Sequence, residues 1–179
     1  MKYSKRALGI SLFLSGVVAF EAAGSPDTDA LELLIVEQLS VEKAERLSRN
    51  TSGRLALDNL TTLSPEVATE LAKFRGWLSL NRLTVISEET AQALRTHEGD
   101  LHLHGLKMIS DEVARALAGH KGELGLKGLA EITDESARSL ATHREGRLQL
   151  GVSTLSGEAG QELAKRKGRH HLQNCNSMA

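Results

Sequence analysis

The amino-acid sequence predicts an α/β fold: a right-handed β/α solenoid with parallel short strands on one face and short helices on the other. Three observations point there. A leucine pattern returns about every 23 residues, each copy opens on two-residue alternation, and each closes on a capped helical stripe. The period is clearest in Ser64, Ser87, Ser110, Thr133 and Ser156, spaced by 23, with 24 between Ser40 and Ser64. A wholly helical solenoid is the competing architecture. Glycine punctuation and the alternation of leucines argue against it.

The first half of a unit is read from its fullest copy, Leu101-His102-Leu103-His104-Gly105-Leu106-Lys107-Met108-Ile109-Ser110. The same spelling recurs at Leu78, Leu80, Leu83 and Ile86, at Leu124, Leu126, Leu129 and Ile132, and at Leu55, Leu57, Leu60 and Leu63. A weaker first copy holds Leu31, Leu33, Val36 and Leu39, and a shortened one holds Leu148, Leu150 and Leu155. His170-His171-Leu172 begins a seventh. Alternate residues of a strand share a face, so each Leu-x-Leu pair points into the core.

The second half reads as a helix. Ser or Thr is a good N-cap, because its oxygen accepts from a free amide of the first turn. Two positions on stand Glu42, Glu66, Glu89, Glu112, Glu135 and Glu158, whose charge suits the positive helix end. Pro65 occupies a first helical position, where its missing N–H costs nothing. Ala68, Ala91, Ala114 and Ala137, each followed after three residues by Leu71, Leu94, Leu117 or Leu140, form one buried stripe. Gly76, Gly99, Gly122, Gly146 and Gly168 are expected to end the helices as left-handed C-caps. About eleven helical residues would fit between cap and glycine. His97, His120 and His143 then fall in the last helical turn, where a partly protonated imidazole meets the negative helix end.

Together these segments resemble leucine-rich repeats, specifically a short bacterial variety of about 23 residues. The resemblance runs from Leu31 to about Leu172. Asn59 stands where such repeats usually carry asparagine after the strand, but Arg82, Gly105 and Gly128 take its place in other copies. Proteins of this family generally bind other macromolecules through the strand face, and the resemblance implies that class of function.

On this geometry three columns point away from the core. The first is Arg54, Trp77, Asp100, Glu123, Arg147 and Arg169; the second is Ala56, Ser79, His102, Gly125, Gln149 and His171; the third is Asp58, Asn81, His104, Lys127, Gly151 and Gln173. The candidate binding face comprises Trp77, Ser79, Asn81, Asp100, His102, His104, Glu123, Lys127, Arg147 and Gln149. Trp77 is its leading anchor, unless it covers the helix end beside Phe74. Asp100, His102, His104 and Glu123 contain zinc-ligand types, and a metal-binding protein built on them is a weaker alternative. Alternate strand residues stand roughly 7 Å apart, which argues against it, and Lys127 adds a positive charge beside His104.

Composition narrows the rest. There are 22 Lys plus Arg against 23 Asp plus Glu, a net charge of −1, so no nucleic-acid footprint exists. One cysteine, Cys175, excludes an internal disulfide; it is expected as a small buried residue, or else as a thiol pairing between chains. Beyond the first 24 residues Phe74 and Trp77 are the aromatic complement, too few for an aromatic sugar cleft. No phosphate loop, zinc-peptidase pair or nucleophile elbow is written, so no enzyme activity, cofactor or metal is expected.

Lys2, Lys5 and Arg6, the apolar run Ala7 to Phe20 and the small residues Ala22-Ala23-Gly24 have the layout of a secretory signal. The organisation expected is a signal peptide at 1–24, a linker at 25–30, the solenoid at 31–175 and a tail at 176–179. The apolar run is short for a membrane span, which needs about 20 residues, so no membrane attachment is expected once the leader is removed. The reading is a secreted or periplasmic, non-enzymatic binding module whose partner is a macromolecule, protein first. Self-association by end-to-end stacking at the C-terminal end is the other alternative.

Overall fold

The computed structural model describes residues 38–49, 53–152, 155–165 and 170–172. The segments expected as leader (1–24), linker (25–30) and tail (176–179), residues 31–37 of the first copy, Gly168, Arg169, Gln173 and Cys175 lie outside the described residues. Helices and strands alternate: α1 (Val41–Ser48), β1 (Arg54–Ala56), α2 (Pro65–Leu71), β2 (Trp77–Ser79), α3 (Glu88–Leu94), β3 (Leu101–His102), α4 (Asp111–Ala118), β4 (Leu124–Leu126), α5 (Asp134–Ala141), β5 (Leu148–Leu150), α6 (Gly157–Ala164) and β6 (His170–Leu172). The strands form one parallel sheet in sequence order, β1 to β6. Consecutive helices pack beside one another, so the chain is an α/β repeat protein.

The sheet register is the sequence period made physical. Leu55 pairs Leu78, Leu78 pairs Leu101, Leu101 pairs Leu124 and Leu124 pairs Leu148. A one-residue slip would turn every leucine to the other face, so the pattern fixes the pairing. Leu78, Leu80, Leu83, Leu101, Leu103, Leu106, Leu124 and Leu126 are fully buried. Each such side chain contributes about 1.5–3 kcal/mol on leaving water. Opposite them lie Ala68, Ala91, Ala114 and Ala137 with Leu71, Leu94, Leu117 and Leu140, all fully buried.

Helix starts agree with the sequence reading. Ser40, Ser64, Ser87, Ser110, Thr133 and Ser156 are extended residues whose side-chain oxygens accept from the amide three residues on. Hydrogen bonds from its own amide and from Ser110 hold the Glu112 carboxyl below its usual range, and Glu66 and Glu89 are held likewise. Asp111 reaches across a repeat to the hydroxyls of Thr133 and, at 2.7 Å, Ser136.

Helix ends differ. The helices have seven or eight residues rather than about eleven, and they close on right-handed residues such as Ala72, Arg95, Gly119 and Thr142. Gly76, Gly99 and Gly122 are not C-caps; each immediately precedes the first-column residue of the next strand. Their cause is close approach. A Cβ on Gly76 would stand 2.2 Å from the Gly53 carbonyl oxygen, one on Gly99 1.9 Å from that of Gly76, and one on Gly122 1.9 Å from that of Gly99. Positive φ occurs at Gly53 (105°) and Gly146 (89°). Those two sit in the turns that carry one extra residue: Ala44 to Leu55 and Ala137 to Leu148 span 11 positions, whereas Ala68 to Leu78 spans 10. The left-handed glycine absorbs the insertion.

The shorter helices move the histidines. His97, His120 and His143 lie past the helix ends, buried to 0%, 2% and 0% exposure, and not in a charged last turn. They continue the stack begun by Phe74, with ring centroids 6.3, 5.8 and 6.3 Å apart and planes within 8°. The His97 Nε2–H donates to the Gly76 carbonyl at 3.0 Å, which places a proton on Nε2. Burial pushes the His97 and His120 pKa down, His120 to about 4, with the charges of its two stacked neighbours opposing its protonation next.

Two expectations follow. Gly99→Ala should cost about 3 kcal/mol by forcing a methyl against backbone, whereas Gly160→Ala, inside α6 with no atom within 4 Å of the added Cβ, should gain about 0.5–1 kcal/mol; urea denaturation separates them. In acid, the unfolded chain binds protons on His97 and His120 from about pH 6.5 downward while the folded chain resists them. Stability is therefore full above pH 6.5 and falls towards pH 4, by about 3 kcal/mol for His120 alone. His120→Phe, which copies Phe74, should flatten that part of the slope in urea midpoints taken at pH 7 and pH 5.

Candidate functional site

The three columns lie on the sheet side as the alternation requires, but they are not equally open. In the first column Arg54, Asp100 and Arg147 are exposed, and Trp77 and Glu123 are half-buried. In the second, Ser79 is fully buried and Gln149 is 7% exposed, which corrects their expected place on an open face. Neighbouring strands stand about 4.8 Å apart, so longer side chains from the flanking columns roof over the middle one. His102 is half-buried. In the third column Asp58, Asn81 and His104 are half-buried and Lys127 is exposed.

Trp77 stands on the sheet face. The Arg54 guanidinium lies 4.4 Å from its ring centroid, and the His102 ring meets it at 4.9 Å. Phe74 instead stacks on His97. The cation holding Trp77 adds about 0.5–1 kcal/mol and fixes the indole in place.

The third column is a hydrogen-bond ladder. The Asn81 N–H donates to Asp58 Oδ1 at 2.9 Å, the His104 N–H to Asn81 Oδ1 at 3.0 Å and the Lys127 N–H to His104 Nδ1 at 3.2 Å. Strands of two or three residues leave the next amide without a backbone acceptor, and the side chain one repeat back takes it. Asn81 Nδ2 also donates to Ser79 Oγ at 2.7 Å, and Ser79 Oγ donates to Asp58 Oδ1 at 2.5 Å. These residues are therefore structural as well as facial. Sequence reading looked for such a ladder one position later, at Asn59; the run Asp58, Asn81, His104 of short acceptors was the signal available.

His102 Nδ1 and His104 Nε2 are 3.0 Å apart, far closer than the strand spacing anticipates. β3 ends at His102, so His104 sits in a turn and its ring swings back over Gly125, where a Cβ would meet both rings. The proton positions then follow. His104 Nδ1 accepts from Lys127, so its proton is on Nε2 and is donated to His102 Nδ1. Both rings are neutral. Burial first, then the charges of His102 and Lys127, hold His104 down to about 4 against the pull of Asp58. Burial also lowers His102, against Glu123 and Asp100. An ion between the rings would need both facing nitrogens bare and would move a proton onto the nitrogen that Lys127 faces. Among the described residues no group of three or more His, Cys, Asp or Glu is arranged to hold a metal, and no helix is long and apolar enough to cross a membrane.

The chain matches no protein-family model and no curated protein. Its surface chemistry stands on geometry: a rigid tryptophan, a mixed set of charges and neutral imidazoles, with the Ser79 hydroxyl buried beneath them. Asn81→Ala should cost about 1–3 kcal/mol by stranding the His104 amide and removing the Nδ2 bond to the buried Ser79 hydroxyl, while Arg82→Ala, an exposed neighbour, stays within about 0.5 kcal/mol; urea denaturation of the two variants provides the comparison.

Proposed function

We propose that the chain is a leucine-rich-repeat solenoid whose strand face binds a macromolecule, a protein in the first instance, without chemistry of its own. The observation that supports this most is the contrast along the sheet: the core positions repeat as leucine, while the first column changes from Arg54 to Trp77, Asp100, Glu123 and Arg147. A constant skeleton under a varied face suits recognition. Trp77 is pre-positioned by Arg54 and His102, which reduces the ordering cost that an exposed aromatic carries into binding. The basic start, apolar run and small residues of the first 24 positions support export, to the periplasm or the medium.

Crosslinking in the native host followed by mass spectrometry identifies the partner. The triple variant Trp77→Ala, Asp100→Asn, Arg147→Ala, in which the amide oxygen at position 100 keeps an acceptor for the Glu123 amide, should then lose capture of it while its circular dichroism and urea midpoint stay near those of the parent. A partner retained in full by that variant would rule out the strand face.

A further inference from the structure

The ring pair at the end of β3 has only one way to hold its protons. The Lys127 N–H donates to His104 Nδ1 at 3.2 Å, which leaves that nitrogen bare and puts the His104 proton on Nε2. That proton is donated to His102 Nδ1 at 3.0 Å, so the His102 proton is on Nε2. Each bare nitrogen therefore already faces an N–H, and a further proton has to break a hydrogen bond wherever it lands. On His104 it would displace the Lys127 amide; on His102 it would separate the two rings. The surroundings decide between them. Facing His102 are Asp100 and Glu123, ahead of β3 and β4, which favour its cation, and Lys127 and Arg54, which oppose it. Facing His104 are His102 and Lys127, which oppose a charge, and Asp58, which favours one. The balance of neighbours places the proton on His102.

The pair is also a roof. Gly125 lies buried beneath it, and a Cβ there would stand 2.5 Å from His104 Cε1 and 2.9 Å from His102 Nδ1. His102 meets the Trp77 ring at 4.9 Å, on an indole that Arg54 holds at 4.4 Å.

We propose that the His102–His104 pair is an acid-opened latch on the strand face: a proton on His102 Nδ1 breaks the bond to His104, draws the His102 ring towards Asp100 and Glu123, and unroofs Gly125 beside Trp77. His104 stays in place, held by the Lys127 amide. The proton comes from water, and hydrogen bonds alone change. Arg54 and Lys127 repel the new cation while the two carboxylates attract it, so its charge pulls the ring away from the Arg54–Trp77 clamp. Burial holds both rings below the usual 6.5, His104 down to about 4. The latch is therefore closed above pH 6.5 and opens as the pH falls below that value, before His104 takes a proton of its own. The latch is a property of the sheet; that it governs capture of a partner rests on the strand-face reading.

The test uses the full-length protein labelled with nitrogen-15, at pH values where its circular dichroism is that of the neutral protein. A nuclear spin coupling between His104 Nε2 and His102 Nδ1, carried by the shared proton, should be measurable at pH 7.5 and lost as His102 titrates. The Lys127 amide should keep its hydrogen-bonded shift through that step. Trp77 is the sole tryptophan, and its emission should change with the same midpoint. His102→Phe keeps a ring against Trp77 and should flatten the emission titration. Asp100→Asn with Glu123→Gln removes the attracting charges and should move the midpoint down by about one pH unit. The coupling in the unaltered chain decides the matter if a variant fails to fold. No coupling at pH 7.5, a coupling that survives the titration of His102, a shift of the Lys127 amide in its place, an unchanged emission, or unfolding before His102 titrates would each overturn the latch. If the latch opens while the triple strand-face variant keeps its partner, only the binding face is wrong; if the coupling fails while that variant loses its partner, the face stands and only the latch is wrong.

Discussion

Everything in this protein depends on how near one turn comes to the next. Gly76, Gly99 and Gly122 bring each repeat's backbone so close to the preceding glycine carbonyl that a single methyl does not fit. That contact sets the lateral distance at which the strands hydrogen-bond, and the leucine register follows from it. It also sets the stacking distance of Phe74, His97 and His120, rings attached two residues before those glycines, with His143 next in the stack. Near-parallel rings with centroids about 6 Å apart fill the turn layer as the leucines fill the centre. The core is therefore two parallel columns, one aliphatic and one aromatic, held at one spacing.

The aromatic column is made chiefly of a residue that can ionise. His97 and His120 stay neutral because burial disfavours the charged form, and for His120 the cost of a proton rises further with an ionised neighbour one step away. On the sheet face burial is again the first cause that keeps His102 and His104 neutral, and hydrogen-bond direction adds to it. There the amide of Lys127 occupies the nitrogen that a further proton would need, and His102 occupies the other side. His97 and His120 in the turn layer and His102 and His104 on the sheet thus share burial as the first cause of their charge state, and the sheet-face pair adds hydrogen-bond direction to it.

Much of the fold was legible in the sequence because the relevant interactions are local. An N-cap serine and the glutamate after it act within one helical turn, and Ala68 with Leu71 marks a face by spacing alone. The leucine period gave parallel strands since a 23-residue return leaves little other way to bury Leu78 against Leu101. What could not be read is contact between repeats. Nothing near Gly99 in the chain reveals that the Gly76 carbonyl stands over it, so a glycine after a helix looked like a cap. His120 looked like a helix-end cation because the helix length was taken from that same glycine. Ser79 and Gln149 alternate correctly yet are covered, since side-chain length in flanking columns, not alternation, decides what water reaches. Trp77 was placed on the right face; its clamp by Arg54 lies a full repeat upstream.

The left-handed turns at Gly53 and Gly146 carry a consequence for variation in length. Each takes up one additional residue while Leu148 still faces Leu124 and the helices stay in step. The exposed residues ahead of Gly146, Arg144 and Glu145, are a natural graft point: a short peptide or affinity tag spliced between them would loop outward, leaving Gly146 against Gly122 and Arg147 in the sheet.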